Sequence, residues 1–518
     1  MADTTHDFYQ PPTAKHPHGV YRPPLSRAQQ FWRVMTATAI TAVVVLVGWQ
    51  AVTTWDILDH YCDTDLGIQR MSDGECIGAS DGRYVFDDAY DEVLGMIAEQ
   101  NREADRVREV NPERQYATIA VWIPHPTEAN APNDTDEVRH QLEGTLLAQQ
   151  SANLEPDPPI KLLVANGGTG NQHWEAMCAD LERRKTTDNL VAVTGLGSSY
   201  RTTEKAINCL DAAEIPMIGS VMTADNIVDK QPYAYRVAPS NSDEGFAATA
   251  YLHSDPDVKV GMKISSLDAD DTYSATLSRA FNGFEAKGRK LKHNQSFDPS
   301  KPGLKAQFAD ISNNVCYYRP DVLLYAGRGR EHLELLVEAL GSSNCASEGY
   351  EPRIVTGDDA SLIRNKDRVG ALLRDGRVVI EYAALVHASQ WSIDSAVSGI
   401  HSGPMSAFVK RHDETFSGPV SEGLADGHAI MAFDAMNVIV RVTTERGLSP
   451  SAAAVASGLQ QVRDCSAVNG LSGLIEFMQD GDATNKAVPI LQAGSSTKNP
   501  VKAVSWPEGK PTKPAGSC

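Results

Sequence analysis

Between residues 118 and 218 the chain repeats one unit: a short, almost uninterrupted apolar run, a turn rich in glycine or hydroxyls, then a stretch with helical periodicity. The apolar runs fall at 118–123, 160–165, 190–193 and 215–218, and the helical stretches between them at 137–150, 172–184 and 202–213. A strand that is apolar at successive residues must be covered on both faces, and helices of this length between strands are the crossovers of a parallel sheet. The alternation then recurs, with strands predicted at 258–264, 321–325, 353–356 and 377–380 and helices at 273–286, 303–312 and 331–340. Two such sheets imply two lobes with a cleft between them. The predicted fold class is α/β, with two doubly wound parallel-sheet lobes. The last third adds helical patterns at 425–441 and 450–462, the second with Ser449 placed to cap it and Pro450 at its first position, and a strand near 474–478.

The turns that end the strands carry the chemistry. In an open parallel sheet, ligands bind outside the carboxyl ends of the strands, where glycines let backbone N–H groups approach. Here those turns are Asn166-Gly167-Gly168-Thr169-Gly170, Thr194-Gly195-Leu196-Gly197-Ser198-Ser199 and Gly219-Ser220-Val221-Met222-Thr223-Ala224. A carboxylate in a dry cleft needs neutral donors at helix N-termini, and Ser198, Ser199, Ser220 and Thr223 stand where that chemistry requires them. An ammonium needs carboxylates or an aromatic face, and the second half offers Tyr273, Asp358, Asp359 and Glu381 near strand ends or helix starts. Together they could hold a zwitterion. The plainer reading of the same residues is that they cap helices and shape turns without touching a ligand.

Other chemistries find less support. The nearest run to a Walker A motif, Gly283-Phe284-Glu285-Ala286-Lys287-Gly288-Arg289-Lys290, lacks the lysine in place and the hydroxyl, and follows a helix rather than a strand. Gly195-Leu196-Gly197-Ser198-Ser199-Tyr200 has no third glycine for a dinucleotide fingerprint. There is no Gly-x-Ser-x-Gly elbow and no His-x-x-x-His zinc helix, and the fourteen histidines are scattered. No catalytic residue, metal or cofactor is therefore assigned. A net charge of −20 without a basic face argues against nucleic acid.

Arg33 and Asp56 bracket an uncharged stretch, residues 34–55, long enough at about 1.5 Å per residue to cross a hydrocarbon core of roughly 30 Å. Trp32, Trp49 and Trp55 suit its interfaces, with Trp49 somewhat deep for a belt. Lys15, Arg22, Arg27 and Arg33 precede the stretch, while Asp56, Asp59, Asp63 and Asp65 follow it. This bias places residues 1–33 in the cytoplasm as a disordered tail and the bulk of the chain outside. A cleaved signal peptide is the competing reading, but the polar lead is long for one and the cleavage pattern poor. Eight cysteines fit an oxidising compartment. Nearest-neighbour pairing would give Cys62–Cys76, Cys178–Cys209 and Cys316–Cys345; free buried thiols are the alternative, strongest for Cys465 and Cys518.

The order of strands and turns, Tyr235-Arg236-Val237-Ala238-Pro239-Ser240-Asn241-Ser242-Asp243-Glu244, Asp270-Asp271-Thr272-Tyr273, Pro320-Asp321-Val322-Leu323-Leu324-Tyr325-Ala326-Gly327 and the late Gly481-Asp482 turn resemble the type I periplasmic solute-binding proteins of the branched-chain amino-acid type. The resemblance runs from about Tyr116 to about Gln492. It implies that Ser198 and Thr223, with Ser199 and Ser220 beside them, hold a ligand carboxylate. It also implies that Tyr273 faces the ligand and that Asp358 or Asp359 meets its amine. The chain departs from the family at His125-Pro126-Thr127-Glu128, where a Gly/Ser-rich turn is usual, and in keeping a transmembrane segment. The expected organisation is a membrane-proximal segment at 56–114 with a packed or stalk helix, lobe 1 at 115–240 and 382–475, lobe 2 at 241–381 and 476–494, and a flexible tail at 495–518. Three crossing strands near Ser240, Tyr382 and Phe477 would form the hinge. The expected function is a membrane-anchored extracytoplasmic solute-binding protein that closes on a small polar ligand, an amino acid or similar, and serves the permease of an ABC-type transporter. A ligand-sensing receptor ectodomain signalling through a membrane partner is the alternative, and a cell-envelope enzyme a third class.

Overall fold

The computed structural model describes residues 62–113, 115–126, 134–154, 157–343, 349–363, 367–392, 395–416, 424–444, 449–494 and 501–511, with 26–28 and 35 as isolated positions. The expected cytoplasmic tail and the expected transmembrane helix at 34–55 thus lie outside the described residues but for those positions. Among the described residues no helix is long and apolar enough to cross a membrane.

The first sheet contains β1 (Gln69–Arg70), β2 (Cys76–Ser80), β3 (Ala117–Trp122), β4 (Ile160–Asn166), β5 (Leu190–Gly195), β6 (Met217–Gly219) and β7 (Ala234–Arg236). Its order is β1-β2-β4-β3-β5-β6-β7, parallel from β4 to β7, with β2 antiparallel to β4. The reason for the uninterrupted apolar runs is visible in β3, which is buried at every residue. Ile119 and Val121 pack with Val138, Leu142 and Leu146 of helix Thr135–Ala152 and Ile439 of helix His428–Thr444. Ala120 and Trp122 pack on the other face with Met177 and Leu181 of helix Trp174–Thr187 and Ile207 and Leu210 of helix Arg201–Ala212. Each such side chain contributes about 1.5–3 kcal/mol by leaving water.

The second sheet is built from β8 (Val260–Ser266), β9 (Lys290–Leu291), β10 (Gln295–Phe297), β11 (Val322–Ala326), β12 (Arg353–Thr356) and β13 (Val379–Ala383). A hairpin, β14 (Val468–Gly470) and β15 (Gly473–Ile475), precedes the last two strands of this sheet, β16 (Val488–Gln492) and β17 (Val501–Ser505). The order is β10-β8-β11-β12-β13-β16-β17, with β9 beside β8, parallel from β10 to β13 and antiparallel beyond. Leaving aside the two-residue β9, the five parallel strands of each sheet therefore share one winding. In each, strand order reverses beside the first strand of the unit, between β3 and β5 and between β8 and β11, which is where such sheets open a crevice for ligands.

The chain leaves the first lobe after β7, where Ser240 caps helix Asn241–Ser254 in a capping box with Asp243. It returns after β13. Met405, Phe408, Ile439 and Val455 then rejoin the core that contains Ile119. Of the expected hinge residues, Tyr382 stands inside β13 opposite Leu491, and Phe477 packs on Tyr235 of the first lobe with ring centroids 4.8 Å apart. The last crossing therefore follows Phe477.

Several local expectations need correction. Helix Ala452–Leu459 is capped by Ser451, whose Oγ accepts from the Ala454 N–H at 3.2 Å, rather than by Ser449 with Pro450 inside. Helix Ser395–Thr415, which carries Pro404 within it, was not foreseen. Part of the expected flexible tail is the strand β17, paired with β16. The membrane-proximal segment is packed: β2 extends the first sheet, and Val93, Leu94 and Ile97 of helix Asp91–Val110 enter its core. Asn101 on that helix donates to Leu162 O at 2.8 Å and accepts from Leu162 N–H at 2.8 Å. Disulfides join Cys62 to Cys76 and Cys178 to Cys209. Cys316 and Cys465 are also disulfide-bonded, which overturns the free-thiol alternative for Cys465.

Candidate functional site

The turn after β5 is left-handed at three successive residues, Gly195 (φ 96°), Leu196 (φ 68°) and Gly197 (φ 74°). A Cβ on Gly195 would lie 2.8 Å from Trp122 O, so this position needs glycine for both its dihedral and its clearance. The turn delivers Ser198 and Ser199 to the start of helix Arg201–Ala212. Ser199 Oγ accepts from the N–H groups of Thr223 and Ala224, each at 3.1 Å, and so knits the turn after β6 to the turn after β5. Ser220 takes another direction. Its hydroxyl is fully buried and donates to Gln141 Oε1 at 2.8 Å, away from the cleft lining.

The facing wall comes from the second lobe. Asp271 caps helix Thr272–Ala280 through its Oδ1, and Tyr273 follows on the first turn. Beyond β12, Gly357 passes so close to Glu244 and the Tyr273 hydroxyl that a Cβ would lie 2.6 Å from both. Asp358 and Asp359 follow it. Asp358 N–H donates to Glu244 Oε2 at 3.2 Å, and Asp359 N–H donates to the Tyr273 hydroxyl at 3.3 Å. The cleft so formed is lined by Glu137, Ser198, Ser199, Val221, Thr223, Tyr273, Arg328, Asp358, Asp359 and His428. Six of the seven expected residues thus face one space, and Ser220 does not.

Sequence reasoning passed over Glu137, His428 and Arg328. Arg328, in the turn after β11, donates to both Asp271 oxygens at 2.7 and 3.1 Å, and stands 3.5 Å from Asp359. It also crosses the cleft to donate to Ser199 O at 2.9 Å. Its guanidinium lies over the rings of Tyr200, at 4.2 Å, and Tyr273, at 4.8 Å, one from each lobe. Arg201 reinforces the bridge, donating from its backbone to Asp270 O at 3.1 Å and from Nε to Ala269 O at 2.9 Å. The lobes are therefore closed on each other, and the free space left between them is about 10 Å³, roughly one water.

Electrostatically the cleft is dominated by acids. Burial pushes the Asp358 carboxyl up to about 8, with the neighbouring Asp359 charge adding to the shift and Arg328 opposing it. Burial likewise raises Glu137 to about 7, with His428 opposing and Asp359 adding. Glu244, behind Asp358, is raised well above the ordinary range by burial and by Asp358. Among the described residues Asp358 Oδ1, Glu244 Oε1 and His428 Nδ1 are buried without a hydrogen-bond partner, although His428 Nδ1 lies 3.8 Å from Glu137 and 3.7 Å from Asp426. Asp426, in the same acid–imidazole group, is held down at about 2 although burial opposes it, because His140 and His428 stand beside it.

Away from the cleft, Asp73, Glu75 and His173, and separately Asp229, Asp480 and Asp482, bring their ligand atoms within 4.8 Å of one another. Asp73 already pairs with His173 at 2.6 Å and Asp482 with Arg236 at 2.7 Å. One carboxylate of each group thus already has a charged or imidazole partner.

No protein-family model matches the sequence, and no curated protein matches it. Solved structures do match by fold. An ABC transporter substrate-binding protein from Desulfitobacterium hafniense in complex with Leu is 16% identical, with a TM-score of 0.55, covering 75% of this chain and 100% of that one. The branched-chain amino acid transporter substrate-binding protein LivJ from Streptococcus pneumoniae, in complex with isoleucine, is 14% identical with a TM-score of 0.54, over 76% of this chain and 99% of its own. A solute-binding protein of an ABC transporter from Rhodopseudomonas palustris, in complex with 3,4-dihydroxybenzoic acid, is 11% identical with a TM-score of 0.52, over 73% and 93%. The chain has the type I periplasmic-binding fold.

Proposed function

We propose that this chain is an extracytoplasmic solute-binding protein, anchored by residues 34–55, that closes its two lobes on a small polar ligand and presents it to the permease of an ABC-type transporter. The carrying observation is the convergence of Ser198, Ser199 and Thr223 from one lobe with Tyr273, Asp358 and Asp359 from the other on a single interlobe cleft. Binding between two lobes gives a closed form that a ligand can favour over an open one, which is the differential contact that coupling to a partner requires. The leucine and isoleucine held by two of the fold neighbours make amino acids the first class to test. The uncharged stretch at 34–55 and the basic residues before it support the anchor and its orientation. No step of catalysis belongs to this reading.

Thermal-shift screening of the full-length protein against amino acids and small polar metabolites tests it, because a ligand held only by the native state raises Tm by linkage. Thr223→Ala and Ser198→Ala should each weaken such a ligand by about 1–3 kcal/mol. A screen without any stabilising compound, or variants that bind as the parent does, would reject the site.

A further inference from the structure

We propose that Asp73, Glu75 and His173 form a zinc site in the first lobe, pinning the turn between β1 and β2 to the turn after β4. None of the three lines the cleft, so the site stands or falls apart from the solute-binding reading.

The donor atoms are of the right kind and nearly at the right spacing. One imidazole nitrogen and two carboxylate oxygens lie within 4.8 Å of one another. His173 Nε2 faces both acids, 2.6 Å from Asp73 Oδ2 and 3.9 Å from Glu75 Oε2. Zinc takes imidazole nitrogen and carboxylate oxygen at about 2.0–2.2 Å in a tetrahedron, which sets its donors about 3.4 Å apart. The two distances bracket that value, and movements of less than about 1 Å bring both pairs to it. The metal replaces the Asp73–His173 hydrogen bond, with the imidazole neutral and its proton on Nδ1. Nitrogen among the oxygens disfavours calcium and magnesium, which prefer oxygen alone. The trio Asp229, Asp480 and Asp482 offers no nitrogen, and the Arg236 guanidinium already stands 2.7 Å from Asp482.

The mounting of these donors differs from that of a surface ion pair. The Glu75 side chain is 7% exposed, and Thr169 donates to it from its N–H at 3.0 Å and from its hydroxyl at 2.6 Å. Bonds of this kind orient the carboxylates that ligate metals. Gly168, at φ 80°, leaves the space in which the groups converge: a Cβ there would run into Glu75 Oε2 and lie 2.8 Å from His173 Cδ2. Both turns are fixed. Met71 N–H donates to Glu75 O at 2.8 Å, Gly74 N–H to Met71 O at 3.0 Å, and the next residue, Cys76, is tied to Cys62. On the other side His173 N–H donates to Gly167 O at 2.9 Å. Asp73, 41% exposed, leaves the fourth position of the tetrahedron open to water. Asp73 and His173 are 100 residues apart in the chain, beyond the reach of any spacing motif.

The test is calorimetric titration of the untagged full-length protein, stripped with EDTA and dialysed, with zinc, calcium and magnesium chlorides at neutral pH. Zinc should saturate one site, bind about ten-fold or more tightly than either other cation, and raise Tm by linkage. His173→Ala should remove that site and the rise in Tm, and Asp73→Asn should weaken zinc about ten-fold or more. Circular dichroism checks that the variants fold; if His173→Ala does not, Asp73→Asn, at the most exposed of the three side chains, decides the matter. Zinc binding that the folded variants leave unchanged is an adventitious ion only and overturns the proposal. Calcium or magnesium binding as tightly as zinc overturns it, and so does the absence of saturable zinc binding. Each of these results leaves the reading of the cleft standing.

Discussion

Arg328→Met removes the buried guanidinium that ties the lobes together beside the interlobe ion pairs Arg201–Asp270, at 3.4 Å, and Arg330–Asp134, at 3.6 Å, and its effect can be worked from the contacts it makes. Methionine keeps much of the aliphatic stem while deleting the guanidinium. Across the cleft the substitution loses one charge-assisted hydrogen bond, to Ser199 O at 2.9 Å, of about 1.5–3 kcal/mol. It also loses the cation over the Tyr200 ring at 4.2 Å, about 0.5–2 kcal/mol. Closure is therefore weakened by about 2–5 kcal/mol, a shift of roughly 30- to 4,000-fold in the open–closed equilibrium at 1.4 kcal/mol per factor of ten. Within the second lobe the cost is separate, since Asp271, 2% exposed, is left without its bidentate partner; removing one member of a buried pair costs about 3–5 kcal/mol. Arg328→Met with Asp271→Asn cancels much of that second cost, because asparagine carries no charge to leave uncompensated. Small-angle scattering of the double variant should show an expanded, open form, and the single variant should also melt earlier than the parent. A double variant with the scattering profile of the parent would refute the assignment of closure to Arg328.

Other outcomes follow from the same geometry. Asp358, whose carboxyl is raised to about 8, holds a proton in the folded protein that it loses in the unfolded one. Its contribution is thus present at low pH and fades as pH rises through 8, at up to about 1.4 kcal/mol per unit. Between pH 6.5 and 8, where histidines titrate alike in both proteins, urea midpoints of the parent should fall relative to those of Asp358→Asn; parallel curves would contradict the raised carboxyl. Removing the disulfide whose cysteines are 31 residues apart, by Cys178→Ala with Cys209→Ala, should cost about 2–4 kcal/mol in urea unfolding under non-reducing conditions. An unchanged midpoint would mean that the unfolded chain is not restrained by that loop. Gly195→Ala, forced to φ 96° with its Cβ 2.8 Å from Trp122 O, should lose about 1–3 kcal/mol. Gly403→Ala, where an added Cβ has open space, serves as its control and should be neutral or stabilising.

How much of this was legible beforehand depends on what each residue must satisfy locally. Strands β3 to β6 could be read because both faces of the sheet are covered, so every position of a strand such as β3 had to be apolar. β17 could not. It is half-buried along its length and borrows its register from β16, a tertiary fact that five residues of sequence do not encode. Helix Ser395–Thr415 hid behind Pro404 and its glycines, since propensity argues against a helix there. Its Met405 and Phe408, anchored in the first lobe's core, override that preference. Ser220 shows the limit of reasoning from strand ends. It is the residue just after β6, but alternation turns its hydroxyl toward Gln141 on the helix side of the sheet.

The same limit explains the charged residues of the cleft. Glu137 occupies the first turn of helix Thr135–Ala152, where an acid is expected for capping alone, and it does complete a capping box with Asp134. Only the fold of the second lobe, bringing Asp359 and its neighbours opposite, turns that cap into part of the cleft wall. Arg328 sits between two glycines, a context that reads as exposed loop, yet its side chain is 11% exposed. Its burial is offset because three separate segments, at Asp271, Asp359 and Ser199-Tyr200, arrive around it from different parts of the sequence. Hydroxyls at strand ends were visible because backbone geometry demands them locally. The acids and the arginine of the cleft are matched to one another across the lobes, and that matching exists only once both sheets have closed.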